Sequence, residues 1–311
     1  MLNLTTTMKT FLKWIAFCTV GLVALVGIFL AWVYFSTQVR LGRFYLLPEA
    51  YVQIPVSPEK LEDGQRIFRF RGCEACHGEK LEGKVYLSDP VMGEVNATNL
   101  TNGLGGVAGR YEKDSDWVKA IRHGIRPEGT PLLFMPSTEF YYLSDDDLGA
   151  VIAYIQSQPP ADNMLPPSSL SLTGRVLMTL VKELTFIPAE MIPHDAQRPA
   201  APPAGITPEY GAYLTQSCKV CHGPGMSGGE IPAFPEEYPP AANLTTSPVR
   251  YLPYWEEEGF VKIMRTGVTR HGREINPAYM PWSSYKFMSD DELKAVWVYL
   301  LSLPPRASGN R

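Results

Sequence analysis

The sequence predicts an all-α protein, with an N-terminal transmembrane helix followed by two tandem copies of one helical domain. Three observations carry this. A long uncharged apolar stretch lies near the N-terminus, the remainder resembles itself at one offset, and both copies carry helix signals with no good alternating strand run. A length of 311 residues, 45% hydrophobic and 19% charged, suits about two folded domains. The 28 prolines and 26 glycines demand many loops, which disfavours a long coiled coil or a strand-dense barrel. Net charge is −4, and residues 1–48 hold four basic residues and no acid, which leaves −8 on the rest. That balance argues against nucleic acid as a partner of the main body.

Residues 1–45 are expected to form a membrane anchor. Between Lys13 and Arg40 lie 26 uncharged residues, Trp14 to Val39, almost wholly apolar from Ile15 to Phe35. About 20 such residues cross a bilayer as a helix, and Trp14, Trp32 and Tyr34 sit where interfacial aromatic belts form. The competing reading is a cleaved signal peptide, whose apolar region is usually about 7–15 residues and ends in small residues. Phe35-Ser36-Thr37-Gln38 is a poor cleavage site, and Phe17-Cys18 does not resemble a lipoprotein signal. Cys18 then reads as an ordinary apolar thiol within the helix. Two basic residues flank each end of the stretch, so charge leaves the orientation open.

The rest of the chain repeats at an offset of 145 residues. Cys73-Glu74-Ala75-Cys76-His77 returns as Cys218-Lys219-Val220-Cys221-His222, and Met135-Pro136 returns as Met280-Pro281. Ser144-Asp145-Asp146-Asp147-Leu148 returns as Ser289-Asp290-Asp291-Glu292-Leu293. Phe68 pairs with Tyr213, and Asn99-Leu100-Thr101 pairs with Asn243-Leu244-Thr245 after one residue of slippage. Pro159-Pro160 and Pro304-Pro305 close the two units, which places one domain at 57–160 and the other at 206–306.

Within each unit a first helix should lead to the cysteines, through Leu61 to Phe70 and through Pro208 to Gln216. A middle helix is expected from Ser115 or Asp116 to His123 and from about Tyr254 to Thr266. Each stops at a glycine, Gly124 or Gly267. The last helices start at Ser144 and Ser289. Ser289 with Glu292 makes a full capping box, and Ser144 with Asp147 a weaker one. Leu148, Val151, Ile152 and Ile155, and Leu293, Val296, Trp297 and Leu300, then lie along buried faces.

Residues 161–205 read as a proline-rich linker with an amphipathic helix, since ten prolines fall from Pro159 to Pro208. Val176, Leu177, Leu180, Val181 and Leu184 share one helical face. That helix is expected to pack into the seam between the two domains, with a membrane-surface helix as the alternative.

Cys-x-x-Cys-His is the attachment sequence of c-type haem. Two thiols one helical turn apart can form thioethers with the two vinyl groups of one porphyrin, and the histidine that follows is held beneath the iron. A redox dithiol has no need of the histidine, and a zinc site would need further ligands that are missing. Two copies in matched positions imply two covalently bound haem c groups, on Cys73, Cys76 and His77 and on Cys218, Cys221 and His222. A sixth iron ligand should recur in both copies. Met135 and Met280 do, each 58 residues after its haem histidine and each before proline. Met92, Met226 and Met264 lack such partners and read as core filler. His123, which aligns with Thr266, is a substitute ligand that only the first domain offers, and His194 reads as a surface residue of the linker. The iron ligands are therefore expected to be His77 with Met135, and His222 with Met280.

Together the Cys-x-x-Cys-His, Asn-Leu-Thr and Met-Pro segments, with final helices ending Tyr154-Ile155 and Tyr299-Leu300 before Pro-Pro, resemble class I cytochrome c domains. The resemblance covers about residues 57–306. It is closest to membrane-anchored mono- and dihaem cytochromes c, including the cytochrome subunits of membrane-bound alcohol and gluconate dehydrogenases. It implies that Asn99 and Asn243 lie near the haem edge, that Arg122 and Arg265 face haem propionates, and that Tyr154 and Tyr299 pack against the haem. Iron closed by histidine and methionine exchanges electrons and has no open position for substrate. The expected function is a single-pass, membrane-tethered dihaem relay without catalytic residues. Haem attachment outside the bacterial cytoplasmic membrane then puts both domains on the periplasmic or outer side. Its partners are that membrane and electron donor and acceptor proteins, a membrane-bound oxidoreductase complex among them. The alternatives are a catalytic dihaem enzyme of peroxidase or thiosulfate-oxidising type and, more remotely, a haem-based gas sensor.

Overall fold

The computed structural model describes residues 4–181, 186–232, 234, 237–246 and 256–310. It opens with α1, Leu4–Leu41, a 38-residue helix about 57 Å long at 1.5 Å per residue. By length and composition it is the one helix among the described residues able to cross a membrane. Most of its apolar side chains are exposed, but Val33 and Thr37 near its end are fully buried. Those last turns are gripped by the segment that the sequence presents as a linker. Arg175 donates to Thr37 Oγ1 at 2.8 Å and lies over the Tyr34 ring, while Arg40 donates to Glu190 at 2.6 Å and to the Met178 carbonyl at 3.1 Å.

After α1 the chain forms α2 (Pro58–Phe70) and α3 (Cys73–His77), then strands β1 (Lys84–Asp89) and β2 (Gly93–Ala97). Next come α4 (Asp114–His123), α5 (Ser137–Phe140) and α6 (Asp145–Ser157), then β3 (Ser169–Leu170) and α7 (Leu172–Leu180). The second half supplies α8 (Pro208–Leu214), α9 (Cys218–His222), α10 (Glu257–Thr266), α11 (Trp282–Tyr285) and α12 (Asp290–Ser302). The expected start of the second middle helix at Tyr254 lies outside the described residues.

The expectation of an all-α chain is corrected to a mostly helical one, because β1, β2 and β3 form a small antiparallel sheet. A register shift between Val85 and Leu87 breaks the period-two pattern that marks a strand. The partner β3 arrives from about 75 residues further along, where proline dominates the composition. Neither feature leaves a local pattern to read.

Helix ends follow their sequence signals. Ser57 and Thr207 cap α2 and α8, each with proline at the first helical position. Gly124 and Gly267 end α4 and α10 at φ 65° and 69°, a conformation that glycine adopts without the cost of a Cβ. The packing of α2 on α6 and of α8 on α12 rests on two other glycines. A Cβ on Gly64 would sit 2.0 Å from the Ala150 carbonyl oxygen, and one on Gly211 would sit 2.1 Å from that of Ala295. Gly64 and Gly211 are therefore counterparts, and the matching of Phe68 with Tyr213 is corrected by two residues. Tyr213 instead occupies the place of Arg66.

That shift explains how the halves meet. In α12 the capping box is complete, with Glu292 accepting from Ser289 N at 2.6 Å. The buried Glu292 also takes Arg66 from the first half at 2.5 Å. In α6 the shorter Asp147 does not close the box. The Tyr213 hydroxyl from the second half stands between, accepting from Ser144 N at 3.0 Å and donating to Asp147. Each first helix thus reaches the carboxylate in the first turn of the other half's last helix, and one continuous apolar core runs beneath both.

The segment after residue 160 is a strap rather than a free linker. Its helix α7 packs on α1, not in the seam between the halves, and the stretch 182–185 with Leu184 lies outside the described residues. Leu170, Met178, Phe186 and Ile187 form a second apolar cluster with Ile125. The apolar face of α7 finds this cluster because the chain before it is already pinned, with Ser171 N donating to Met92 O at 3.2 Å and Asn96 N to Ser168 Oγ at 2.9 Å. Further along, Arg198 donates to Leu143 O and to Asp145.

His194 is not the surface residue that the sequence suggests. Its Nδ1 lies 2.9 Å from Nδ1 of His123, and its Nε2 donates to Ala189 O at 2.9 Å. One imidazole must then be neutral at Nδ1 to accept from the other. Burial, reinforced by His194 and Arg122, lowers the His123 pKa to about 4, below the usual value of about 6.5. Between those values the opened chain binds more protons than the closed one, so closure weakens as pH falls from about 6.5 toward 4. Hydrogen exchange of amides 186–198, corrected for intrinsic rates, is expected to be slower at pH 7.5 than at pH 5. Equal protection at both values would contradict this.

Candidate functional site

Each Cys-x-x-Cys-His forms a single short helix, α3 or α9, ended by a glycine with positive φ, Gly78 at 82° and Gly223 at 76°. The chain then turns back through Leu81 and Met226, non-glycine residues at φ 59° and 56° that are fully buried. Their carbonyls accept from Leu100 N and Leu244 N, both at 2.8 Å. Met226 is thus a core residue, as expected. The two loops agree in every one of these bonds.

The loops end beneath the imidazoles. His77 Nδ1 lies 2.8 Å from Thr98 O and His222 Nδ1 lies 2.7 Å from Ala242 O. A carbonyl can only accept, so Nδ1 carries the proton and Nε2 is left with its lone pair, the form that binds a metal. Burial lowers the His77 pKa, which keeps that ring neutral. Asn-Leu-Thr holds each loop in place. Asn99 accepts from Thr101 and donates to Ala161 O at 2.7 Å, and Asn243 accepts from Thr245 and donates to Arg306 O at 2.9 Å. These asparagines clamp the chain just after each Pro-Pro, and Asn99 does not line the cavity described next.

In the first half a cavity of about 380 Å³ opens between Cys73, Cys76 and His77 on one wall and Met135 on another. Much of its wall is apolar, with Phe68, Trp117, Ile121 and Leu143 among the lining residues. Size and lining suit a flat apolar cofactor held at few polar points. Burial pushes the Cys73 and Cys218 thiols up to about 12, the opposite of the lowered pKa that a redox dithiol requires. Among the described residues no group of three or more histidine, cysteine or acidic side chains could hold a metal ion alone.

Met135 and Met280 both precede a proline that caps a short helix, Pro136 at φ −77° and Pro281 at φ −79°. The loops are held differently. Met280 N donates to Asn276 O at 3.1 Å, within its own half. Before Met135, Phe134 is held at φ 59°, a left-handed conformation that costs a non-glycine residue roughly 1–2 kcal/mol. The strap maintains it, because Phe134 N donates to Phe186 O at 3.0 Å and the two rings pack edge to face.

Arg122 and Arg265, which the resemblance assigns to propionates, are bonded within the protein. Arg122 donates to Leu143 O and Asp145, and Arg265 to Met288 O and Asp290, so both brace the start of a last helix. Tyr154 packs on Phe68 and its hydroxyl accepts from Gln65. The arginines that line the cavity are Arg71, Arg110 and Arg126, none of which the repeat singles out. Burial raises the Tyr111 pKa to about 12, opposed by Arg126 and Arg110, whereas Arg71 acts on the cysteines. His123 faces His194 and lies outside the lining.

A profile of the family described as cytochrome c matches residues 61–159 and 209–304. The fructose dehydrogenase cytochrome subunit of Gluconobacter japonicus is 27% identical over 263 residues, 77% of this chain and 51% of that protein. The cytochrome c subunit of the quinone-type alcohol dehydrogenase of Gluconobacter oxydans is 28% identical over 271 residues, 80% of this chain and 56% of that protein. The gluconate 2-dehydrogenase cytochrome c subunit of Pantoea cypripedii is 31% identical over 108 residues, 32% of this chain and 24% of that protein. The chain thus spans about half the length of the first two relatives.

The grip of the strap on Phe134 has a measurable consequence. Phe186→Ala removes the ring that packs on Phe134 and should loosen the Met135 loop, read as faster hydrogen exchange of amides 133–137 with no change around Met280. Unchanged exchange at 133–137 would show that the loop holds itself.

Proposed function

The chain belongs to the cytochrome c family, and from that we propose that it is a membrane-tethered relay with two haem c groups in tandem domains, residues 57–160 and 206–306. Haem c, when bound, supplies a one-electron ferric/ferrous couple. Cys73 and Cys76 would hold one porphyrin and Cys218 and Cys221 the other. His77 and His222, each protonated at Nδ1, would offer Nε2 to the iron, and Met135 and Met280 would each supply a thioether sulfur. A methionine ligand raises the reduction potential relative to a second histidine, and iron held by both residues would have no place for substrate. Arg110 and Arg126, which line the cavity, would take the propionate role that the resemblance gives to Arg122.

The observation that carries this reading is the doubled bond from imidazole to carbonyl, His77 to Thr98 and His222 to Ala242. It prepares both histidines as ligands in the same way, and a Met-Pro loop repeats in each half.

Residues 1–45 serve as the anchor, through α1, with the N-terminus cytoplasmic and the haem domains on the periplasmic or outer side. Residues 161–205 join the domains and bind the first one to the end of α1. The relatives named as dehydrogenase cytochrome subunits support a membrane-bound dehydrogenase as the electron donor. The chain itself then carries electrons without substrate chemistry.

Denatured protein should retain two covalent haems per chain, and replacing Cys73 and Cys76 by alanine should leave one. The native ferrous protein should resist carbon monoxide until Met135→Ala or Met280→Ala opens one iron. Haem extracted by acidified organic solvent, or rapid carbon monoxide binding by the wild type, would overturn the reading.

A further inference from the structure

Arg71 has no obvious task in either half taken alone. It follows α2, two residues before Cys73, and lines the first cavity. Yet its Nη1 donates to Leu214 O of the second half at 3.3 Å, and its guanidinium lies 5.4 Å from the centre of the Tyr213 ring. Leu214 ends α8, four residues before Cys218. The Arg71 Nε and Nη2 atoms are buried without a hydrogen-bond partner. Such donors are costly to bury, so their placement asks for a reason beyond packing.

The seam supplies one. Cys73, Met135, Cys218 and Met280 all border one continuous apolar core. Arg71 acts electrostatically on both Cys73 and Cys218, and so does Glu139, which lines the first cavity. Burial pushes the Glu139 carboxyl up to about 7, with Arg71 opposing. In a medium of low effective dielectric a single charge is felt over several ångströms.

We propose that Arg71, two residues before Cys73 and bonded to the end of the helix that leads to Cys218, is a cation shared by the two haem sites that raises the reduction potential of both. The inference rests on the dihaem reading above. Each site gains one electron on reduction, so a nearby positive charge favours the reduced form of each. A charge at the seam therefore couples the two sites, whereas a charge at the outer edge of either would tune one. The side chain is a positioning and electrostatic residue and ligates neither iron.

The test is a potentiometric titration of the full-length, detergent-solubilised holoprotein, comparing wild type with Arg71→Gln and Arg71→Lys. Covalent haem content is measured first, and a value other than two per chain defeats the dihaem reading itself. With two haems present, Arg71→Gln is expected to move both midpoints to lower potential, and Arg71→Lys to restore them. A shift confined to one midpoint, no shift, or a shift that lysine does not restore would overturn the shared role. Should Arg71→Gln fail to mature, Glu139→Gln provides the second test. At pH 8.5, where Glu139 is ionised, it removes a negative group from the same seam and should move both midpoints upward, and movement of only one or neither would again overturn the proposal.

Discussion

The bond between a haem-motif imidazole and a loop carbonyl, made once by His77 with Thr98 and once by His222 with Ala242, is the constraint around which each half is built. For Nε2 to face a fixed point, the carbonyl must be fixed first. The loop that bears it is tied back by Asn99 or Asn243 to the chain that leaves the last helix. That helix is seated in turn by its crossing at Gly64 or Gly211 and by the arginine that braces its first turn. A local hydrogen bond thus depends on contacts spanning some 60 residues or more. This is how a family whose domains depend on a cofactor can couple folding to its attachment.

The two halves use the same scheme with one difference. The second methionine loop is held by its own neighbourhood, through Asn276. The first leans on the strap, whose Phe186 carbonyl maintains Phe134 in a strained conformation. The same strap seats the end of α1 through Arg175 and Glu190. The helix best suited to a membrane and the first methionine loop therefore share one support. At the seam, Asp147 and Glu292 show how a one-carbon difference is accommodated. Glutamate closes its own capping box and takes an arginine, while aspartate relies on a tyrosine from the other half.

Much of this is legible in the sequence because it is local or repeated. Cys-x-x-Cys-His, the Met-Pro pairs, and the serine and glycine boundaries of helices all depend on residues within a turn of one another. The sheet is not legible, since a bulge hides the alternation in β1 and β3 is remote. The role of the strap is hidden for a related reason: a proline-rich composition signals extension but does not say what the extended chain covers. Arginine roles are the least accessible. Arg122 and Arg265 are matched between the copies because they brace helices, whereas Arg71 belongs to the seam and has no counterpart to reveal it. Phe68 and Tyr213 share a distance to the cysteines but not a place in the fold, because the path from the glycine crossing to the first cysteine is two residues shorter in the second half.

The central claim is that two irons are each closed by histidine and methionine, and proton NMR of the reduced, detergent-solubilised protein tests it most directly. A methionine methyl bound over a ferrous haem is shifted far upfield by the ring current, clear of the rest of the spectrum. The account predicts two such three-proton lines, one lost in Met135→Ala and the other in Met280→Ala. A single line in the wild type, or lines that survive both substitutions, would contradict it.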